Sequence, residues 1–406
     1  MKKPILFLFL LLAASVTDAQ IVKENQIIIG KTDSVNSKIL GEKRHVWISL
    51  PAGYNEDLFT KRNFPVIYLL DGNTNFQVVN GMASQLSGMN GNLTLPESIV
   101  VGILNTDRTR DLTPSHAATD PTSGGGEKFA QFLEKELIPH IDSAYRTAPF
   151  RTLIGHSFGG LTAINMLVNH TNLFNAYIAI EPTMGWDDRK LLEQSKHLLA
   201  QNNFSGRSLF LGVANTMPAG MDTLRARRDT SGGTYHIRAI LDLKDALQTN
   251  KTLNWSYKYY ADDEHVSVPP IAEYDGLRFL FDFCKMPQDQ VHQFYNPATK
   301  IDVAATLTNH YAQISTHMGY AVLPPEAMLN DLAYAFLNNG MRERAYQLFA
   351  LIIKDYPQSF NAYDSMGDYY NAQKNKEKAI EYFKKAYQLR QFPDTKKKLD
   401  ALTGQK

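Results

Sequence analysis

Hydrophobic and polar residues follow two alternating patterns between residues 35 and 285. Short apolar runs rich in β-branched residues predict strands, and segments with apolar positions three or four residues apart predict helices. The predicted strands are residues 45–50, 65–70, 99–103, 151–154, 176–180, 208–213 and 255–260. The predicted helices are residues 128–145, 161–168, 237–247 and 271–283. This alternation predicts an α/β fold with a mostly parallel sheet and helices on both faces.

The pattern becomes purely helical after Pro325, and it repeats. Apolar and small residues recur after 34 residues, which is the period of tetratricopeptide repeats. The corresponding pairs are Leu329/Tyr363, Leu332/Met366, Ala333/Gly367, Phe336/Tyr370, Ala345/Ala379 and Phe349/Phe383. An unrelated pair of helical hairpins is the alternative. Because so few repeats bury little surface, we expect them to dock on the main domain or on a protein partner.

These patterns divide the chain into segments of different character. We predict an α/β domain over residues 20–285, a partly structured connector over 286–325 and two tetratricopeptide-like repeats over 326–400. Residues 1–19 have the features of a signal peptide: Lys2 and Lys3 precede an apolar run, and small residues precede Gln20. A membrane anchor is the alternative interpretation of this segment, but its apolar run is short for a helix that spans a bilayer. We therefore expect a periplasmic or secreted protein without a membrane span in the mature chain.

Composition and charge narrow the possible partners. The chain has 406 residues and a formal net charge of +1, so neither a nucleic-acid partner nor a polybasic membrane anchor is expected. The single cysteine, Cys284, cannot form an internal disulfide and lies in an apolar stretch, which is typical of a buried, inert thiol.

The strongest chemical signal is the segment Gly155-His156-Ser157-Phe158-Gly159. It lies between a predicted strand and a predicted helix, which is the setting of a nucleophilic serine on a tight turn. Glycines beside the serine remove side-chain clashes in that turn, and the start of the helix offers backbone N–H groups to an oxyanion. We expect Ser157 to be the nucleophile.

A serine hydroxyl needs a base, and in this arrangement the base follows the last strand. Among the histidines after Ser157, His265 alone follows that strand directly and precedes the closing helix, so we expect it to be the general base. The acid that orients it should follow the strand 208–213, where Asp222 is the nearest carboxylate. Asp229, Asp245 and Asp263 are alternatives, and so is a dyad without an acid.

The oxyanion also needs a second donor, which normally comes from the loop after an early strand. The N–H groups of Phe158 and of Gly72 or Asn73 are the candidates, and a simple turn at residues 71–73 is the alternative. We predict no metal site, because the His-x-x-x-His spacing of a helical zinc site is absent around His265, and no cofactor.

Several of these segments together resemble a known family. The segment 68–72, the turn around Ser157, the stretch 105–114 (Asn-Thr-Asp-Arg-Thr-Arg-Asp-Leu-Thr-Pro) and the acidic loop ending at His265 resemble the putative-esterase (esterase D-like) family, and within it the bacterial ferric-siderophore esterases. The resemblance covers about residues 35–285. It implies an α/β-hydrolase fold and hydrolysis of carboxylic esters with Ser157 and His265 carrying the chemistry. The absence of a carboxylate near Asn215 departs from many members.

Three further residues are candidates for substrate binding. Arg108 and Arg110 could hold an anionic, catecholate-bearing substrate, and Trp186 could stack on its rings. Alternatively, the arginines pair with Asp107 and Asp111 and brace a long loop.

The sequence therefore predicts a carboxylic ester hydrolase that acts through a serine acyl-enzyme on a small-molecule or oligosaccharide ester. Siderophore esters are one candidate substrate class, and feruloyl or acetyl esters on polysaccharide are another. A catalytically inert hydrolase-fold binding protein and an acyl transferase are the alternatives from other functional classes.

Overall fold

A computed structural model describes residues 27–88 and 93–404, and it contains one eight-stranded sheet. Along the sheet the strands lie in the order β1-β2-β4-β3-β5-β6-β7-β8; β1 and β2 are antiparallel to their neighbours, and the other neighbouring strands are parallel. The strands are β1 Lys31–Ser37, β2 Glu42–Ser49, β3 Phe64–Leu69, β4 Ile99–Ile103, β5 Thr147–His156, β6 Ala176–Ile180, β7 Ser208–Ala214 and β8 Asn254–Tyr260. The predicted signal peptide lies outside the described residues, and its assignment stays a prediction.

Helices follow most strands and continue beyond the sheet. They are α1 Gly72–Leu86, α2 Arg108–Leu112, α3 Gly126–Phe132, α4 Ile138–Ala144, α5 Phe158–Asn169, α6 Trp186–Gln201, α7 Thr223–Arg228, α8 Tyr235–Thr249, α9 Pro269–Leu280, α10 Gln288–Tyr295, α11 Val303–Met318, α12 Glu326–Asn338, α13 Arg342–Asp355, α14 Phe360–Ala372, α15 Lys376–Leu389 and α16 Pro393–Thr403. In the part of the chain that the structure describes, no helix has both the length and the apolar character needed to cross a bilayer.

The central strands are continuous apolar runs because both faces of the sheet are buried. In β3, Val66 and Tyr68 pack into the core on one face, whereas Ile67 and Leu69 pack into the core on the other. Successive side chains of a strand point to opposite faces, so each face needs apolar residues where helices cover both. The predicted α/β class with helices on both faces is confirmed.

The edge strand β1 was not predicted from the sequence, and its environment explains why. Six of the seven residues from Lys31 to Ser37 are polar or charged, and most are exposed or half-buried. A strand that pairs on one side and contacts solvent gains little from apolar side chains, so its sequence carries a weak pattern. Backbone pairing with β2, rather than side-chain burial, holds it in place.

The segment 286–325 contains two helices, and the second of them, α11, joins two cores. Ile314 and Met318 of α11 pack with the core under the sheet, while Val303 and Leu307 of the same helix pack with the C-terminal helices. The C-terminal part is tied to the loop between β2 and β3 as well, because the Glu326 carboxylate accepts the N–H of Thr60 at 2.8 Å. The C-terminal helices therefore dock on the α/β domain.

The positions that repeat every 34 residues form the contacts between paired helices. Ala333 and Ala345 are fully buried, as are Ala379 and Phe383 in the next pair. At Gly367 a Cβ atom would lie 2.6 Å from the Phe383 ring, so the small residue lets α14 and α15 approach closely. The assignment of these helices as tetratricopeptide repeats stays a prediction.

Candidate active site

Ser157 lies on a tight turn between β5 and α5. Its backbone has φ 59° and ψ −114°, a conformation that non-glycine residues rarely adopt and that is found where a functional side chain is held in place. Its N–H donates to the Ile180 carbonyl at 3.0 Å, which joins the turn to the end of β6. A Cβ atom at Gly155 would lie 2.2 Å from the Gly159 carbonyl oxygen, so the turn requires glycine there.

The first turns of α5 and α1 lie side by side at this end of the sheet. Gly159 packs on the end of β3, since a Cβ atom there would lie 3.3 Å from the Asp71 carboxylate. Gly72 starts α1 and packs tightly on Gly102. A Cβ atom on residue 72 would lie 2.6 Å from the Gly102 carbonyl carbon. The backbone N–H groups of Gly72 and Phe158 belong to first helical turns, which leave them without a carbonyl partner inside their helices.

His265 lies on the loop after β8, where its imidazole reaches the residues around Ser157. Its Nδ1 lies 3.2 Å from Oε2 of Glu181, and its ring centroid lies 4.6 Å from that of His156. Burial and the neighbouring His265 lower the pKa of His156 to about 4, so the His156 imidazole is neutral at pH 7. His265 is about one-third exposed, which leaves its ring accessible to a small molecule.

Glu181 was missed in the sequence analysis, and it is the buried carboxylate of this site. It follows β6 directly, has φ 45° and is fully buried. Its Oε1 accepts the Ala214 N–H at 2.6 Å, and its Oε2 lies 3.0 Å from His236 Nε2. Burial alone would raise the pKa of this carboxyl, but hydrogen bonds with His236 and His265 outweigh burial and hold the pKa below its ordinary value. Glu181 is therefore an ionised acceptor at neutral pH.

Asp222, the carboxylate expected after β7 to orient His265, has other partners in the structure. Asp222 lies at the start of α7, where it is exposed and its carboxylate accepts the Arg225 N–H at 2.8 Å. Glu181 extends from the end of the adjacent strand, β6. Ala214, the last residue of β7, donates its N–H to the Glu181 carboxylate. In a parallel sheet the carboxyl ends of neighbouring strands meet at one edge, so either strand can supply a carboxylate there. A glutamate directly after an entirely apolar strand was the signal in the sequence.

The alternative aspartates also have other partners. Asp229 accepts hydrogen bonds from Ser231 and Thr234, and Asp245 pairs with an arginine of α7 at 2.6 Å. Asp263 accepts the hydroxyl of Ser267 at 2.9 Å within the loop that carries His265.

Two of the three predicted substrate-binding residues flank Phe158, the residue after Ser157. Trp186 packs edge-on against the Phe158 ring at 5.0 Å, and the Arg108 guanidinium lies 5.4 Å above that ring. Arg108 makes a bidentate pair with Asp71, at 2.7 and 2.9 Å, rather than with Asp107. Its charge is therefore balanced inside the protein.

Arg110 belongs to a separate ion cluster. Its guanidinium binds the carboxylates of Glu42 and Asp111, each at 2.7 Å, and Asp111 also pairs with the buried Arg44. These bonds raise the pKa of Arg110 above its ordinary value. The bracing role considered for the arginines thus describes Arg110, with Glu42 and Asp111 as partners.

The cluster around Glu181 also bears on metal binding. One nitrogen from each of His236 and His265 and one oxygen of Glu181 lie within 4.8 Å of one another, a set that could hold a metal ion. An ionised carboxylate only accepts hydrogen bonds, so the two imidazoles already satisfy it as donors. The arrangement can orient the His265 ring and stabilise a positive charge on it.

Comparisons with known proteins agree with this geometry. The family described as "Putative esterase" matches residues 37–206. The ferri-bacillibactin esterase BesA of Bacillus subtilis is 26% identical over 58% of this chain and 83% of its own length. The siderophore triacetylfusarinine C esterase of Aspergillus fumigatus is also 26% identical, over 60% of this chain and 90% of its own length.

A solved structure is similar over most of the chain. The IroE-like serine hydrolase of Shewanella oneidensis is 30% identical and superimposes with a TM-score of 0.67, covering 80% of this chain and 98% of the other. Sequence identity and coverage at this level, together with the parallel sheet and the turn after β5, identify the family. The chain belongs to the putative-esterase family of α/β-hydrolases and is a carboxylic ester hydrolase.

Proposed function

We propose that the chain hydrolyses esters through an acyl-enzyme on Ser157, with His265 as the general base and Glu181 as the acid that orients it. The observation that carries this proposal is the contact between the buried Glu181 carboxylate and His265 Nδ1, at 3.2 Å, beside the turn that bears Ser157. A carboxylate that accepts from Nδ1 keeps the hydrogen on that nitrogen and leaves Nε2 free to accept the serine proton.

The reaction then follows from these positions. Ser157 Oγ attacks the ester carbonyl carbon while His265 takes its proton, and the carbonyl oxygen becomes an oxyanion. The N–H groups of Phe158 and Gly72 are the proposed donors to that oxyanion. The tetrahedral intermediate expels the alcohol, which receives the proton from His265. Water, deprotonated by His265, next attacks the acyl-enzyme. The acid product then leaves as Ser157 Oγ takes the proton back from His265.

Electrostatics supports the same assignment. The His265 imidazole becomes positively charged in both steps, and the ionised Glu181 lies in direct contact with it. The neighbouring His156 is neutral, so it adds no opposing charge next to the imidazolium. A buried anion next to a single developing cation lowers the barrier more than the same pair would in water, because the local dielectric constant is low.

For the substrate we propose siderophore-type esters with aromatic acyl groups. One relative named as a ferri-bacillibactin esterase and one named as a siderophore esterase match the chain over most of their own length. The wall beside Ser157 is aromatic, since the Phe158 ring packs edge-on against Trp186. Such a wall suits contact with a planar aromatic ring of a substrate.

The mechanism is tested with p-nitrophenyl acetate and a fluorophosphonate probe on the wild type, Ser157→Ala and His265→Ala. We expect the probe to label the wild type on Ser157 and both variants to lose at least about 10³-fold in kcat. His197→Ala, on the exposed side of α6, is the matched control and should keep wild-type activity. Wild-type rates in Ser157→Ala would refute the proposal.

The substrate class is tested by comparing kcat/KM for a ferric tris-catecholate trilactone with that for methyl ferulate and p-nitrophenyl acetate. Mass spectrometry of the products identifies which ester bond is cleaved. We expect the trilactone to be preferred and Trp186→Ala to reduce that preference by about tenfold. A preference for methyl ferulate would instead assign the site to feruloyl esters.

A further inference from the structure

His236 contacts the same carboxylate oxygen as His265. Oε2 of Glu181 lies 3.0 Å from His236 Nε2 and 3.2 Å from His265 Nδ1. The two imidazole rings meet edge to face, with centroids 5.4 Å apart. His236 lies in the first turn of α8, 55 residues from Glu181 in the sequence. The contact is therefore created by the fold.

Glu181 needs every one of its donors, because a fully buried carboxylate is costly without them. The Ala214 N–H holds Oε1 and the two histidines hold Oε2. A carboxylate with a single donor per oxygen could rotate about its terminal torsion, which is soft. The second donor on Oε2 removes that freedom and fixes the atom that His265 contacts.

His236 and His265 nevertheless have different relations to the reacting serine. His265 lies against His156, the residue before Ser157, with ring centroids 4.6 Å apart. His236 Nε2 contacts the Glu181 carboxylate, and it must carry a hydrogen to donate to an ionised carboxylate. His236 is thus suited to hold the acid rather than to accept a proton from the nucleophile.

We propose that His236 is a positioning residue that holds Glu181 in the orientation in which it contacts His265. This inference rests on the proposed function of Ser157, His265 and Glu181. His236 acts through Glu181, so its loss should slow the chemical step and leave substrate binding unchanged.

The test compares His236→Ala, His236→Gln and the control His197→Ala in kcat and KM for p-nitrophenyl acetate. Alanine removes the donor, and we expect kcat to fall about 10- to 100-fold with KM within about twofold of the wild type. Glutamine reaches to a similar distance and keeps an N–H donor, so we expect it to restore kcat to within about threefold. Thermal unfolding of each variant shows whether the fold is retained.

A kcat within about twofold of the wild type in a folded His236→Ala would overturn the inference. Equal losses in the alanine and glutamine variants would overturn it as well, because the donor would then not be the group that matters. Failure of the proposed function gives a different result, since His265→Ala would then keep its activity.

Discussion

Replacing Glu181 by glutamine isolates the role of the carboxylate, because the side chain keeps its shape and loses only its charge and one acceptor. In the structure Oε1 accepts the Ala214 N–H at 2.6 Å. That backbone donor is fixed in the sheet, so the glutamine oxygen must face Ala214 and the amide NH₂ must face His236 and His265. The amide NH₂ would then face the N–H groups of His236 and His265, at 3.0 and 3.2 Å, unless both imidazoles change tautomer.

The change of tautomer sets the size of the effect. With its hydrogen moved to Nε2, His265 presents no lone pair to Ser157 and cannot act as the base. The anion that stabilises the imidazolium is also lost. Inverting the tautomer in an equivalent hydrogen bond of a serine protease costs about 10⁴ in kcat. We expect a loss of about 10³- to 10⁴-fold for Glu181→Gln, or about 4–5 kcal/mol of transition-state stabilisation.

The assay is steady-state hydrolysis of p-nitrophenyl acetate, with kcat referred to the concentration of folded protein. Asp222→Asn is the matched control: Asp222 caps α7 far along the chain from Glu181, and asparagine caps a helix equally well. That variant should stay within about twofold of the wild type. A Glu181→Gln variant that retained more than about a tenth of wild-type kcat would refute the reasoning about the carboxylate.

Further predictions concern stability. Burial raises the pKa of the Glu273 carboxyl from 4.5 to about 8, so the folded state holds a proton that the unfolded state releases, and stability is lost as pH rises through this interval. Glu273→Gln should therefore stabilise the fold by several kcal/mol more at pH 8 than at pH 5, and equal gains in urea titrations at both pH values would contradict this. Gly72→Ala places a Cβ atom 2.6 Å from the Gly102 carbonyl carbon, so we expect a loss of about 1–3 kcal/mol. Gly81→Ala on the same helix has open space around it and should stabilise by up to about 1 kcal/mol in the same titration. Arg44 is 1% exposed and pairs with a buried aspartate, so Arg44→Ala should cost about 3–5 kcal/mol, again measured by urea unfolding.

The sequence by itself determined the architecture of the α/β domain. The strands at 99–103 and 176–180 were predicted with the bounds that the structure has, because a strand that is buried on both faces needs a continuous apolar run. The turn around Ser157 was also predicted from the sequence, since Gly155 is required by its close contact with Gly159, four residues away. The loop position of His265 followed from the order of strands along the chain.

Only the tertiary structure decided which groups surround Ser157. Glu181 lies 84 residues from His265, and His236 lies 55 residues from Glu181. No local sequence pattern relates residues at such separations. The parallel pairing of β6 and β7 brings the ends of both strands to one edge of the sheet. We expected the acid after β7, whereas packing places the Glu181 carboxylate, at the end of β6, against His265 and leaves Asp222 exposed at a helix start. The reason is physical: burial and hydrogen bonding select a carboxylate by its position in space, and sequence spacing does not encode that position.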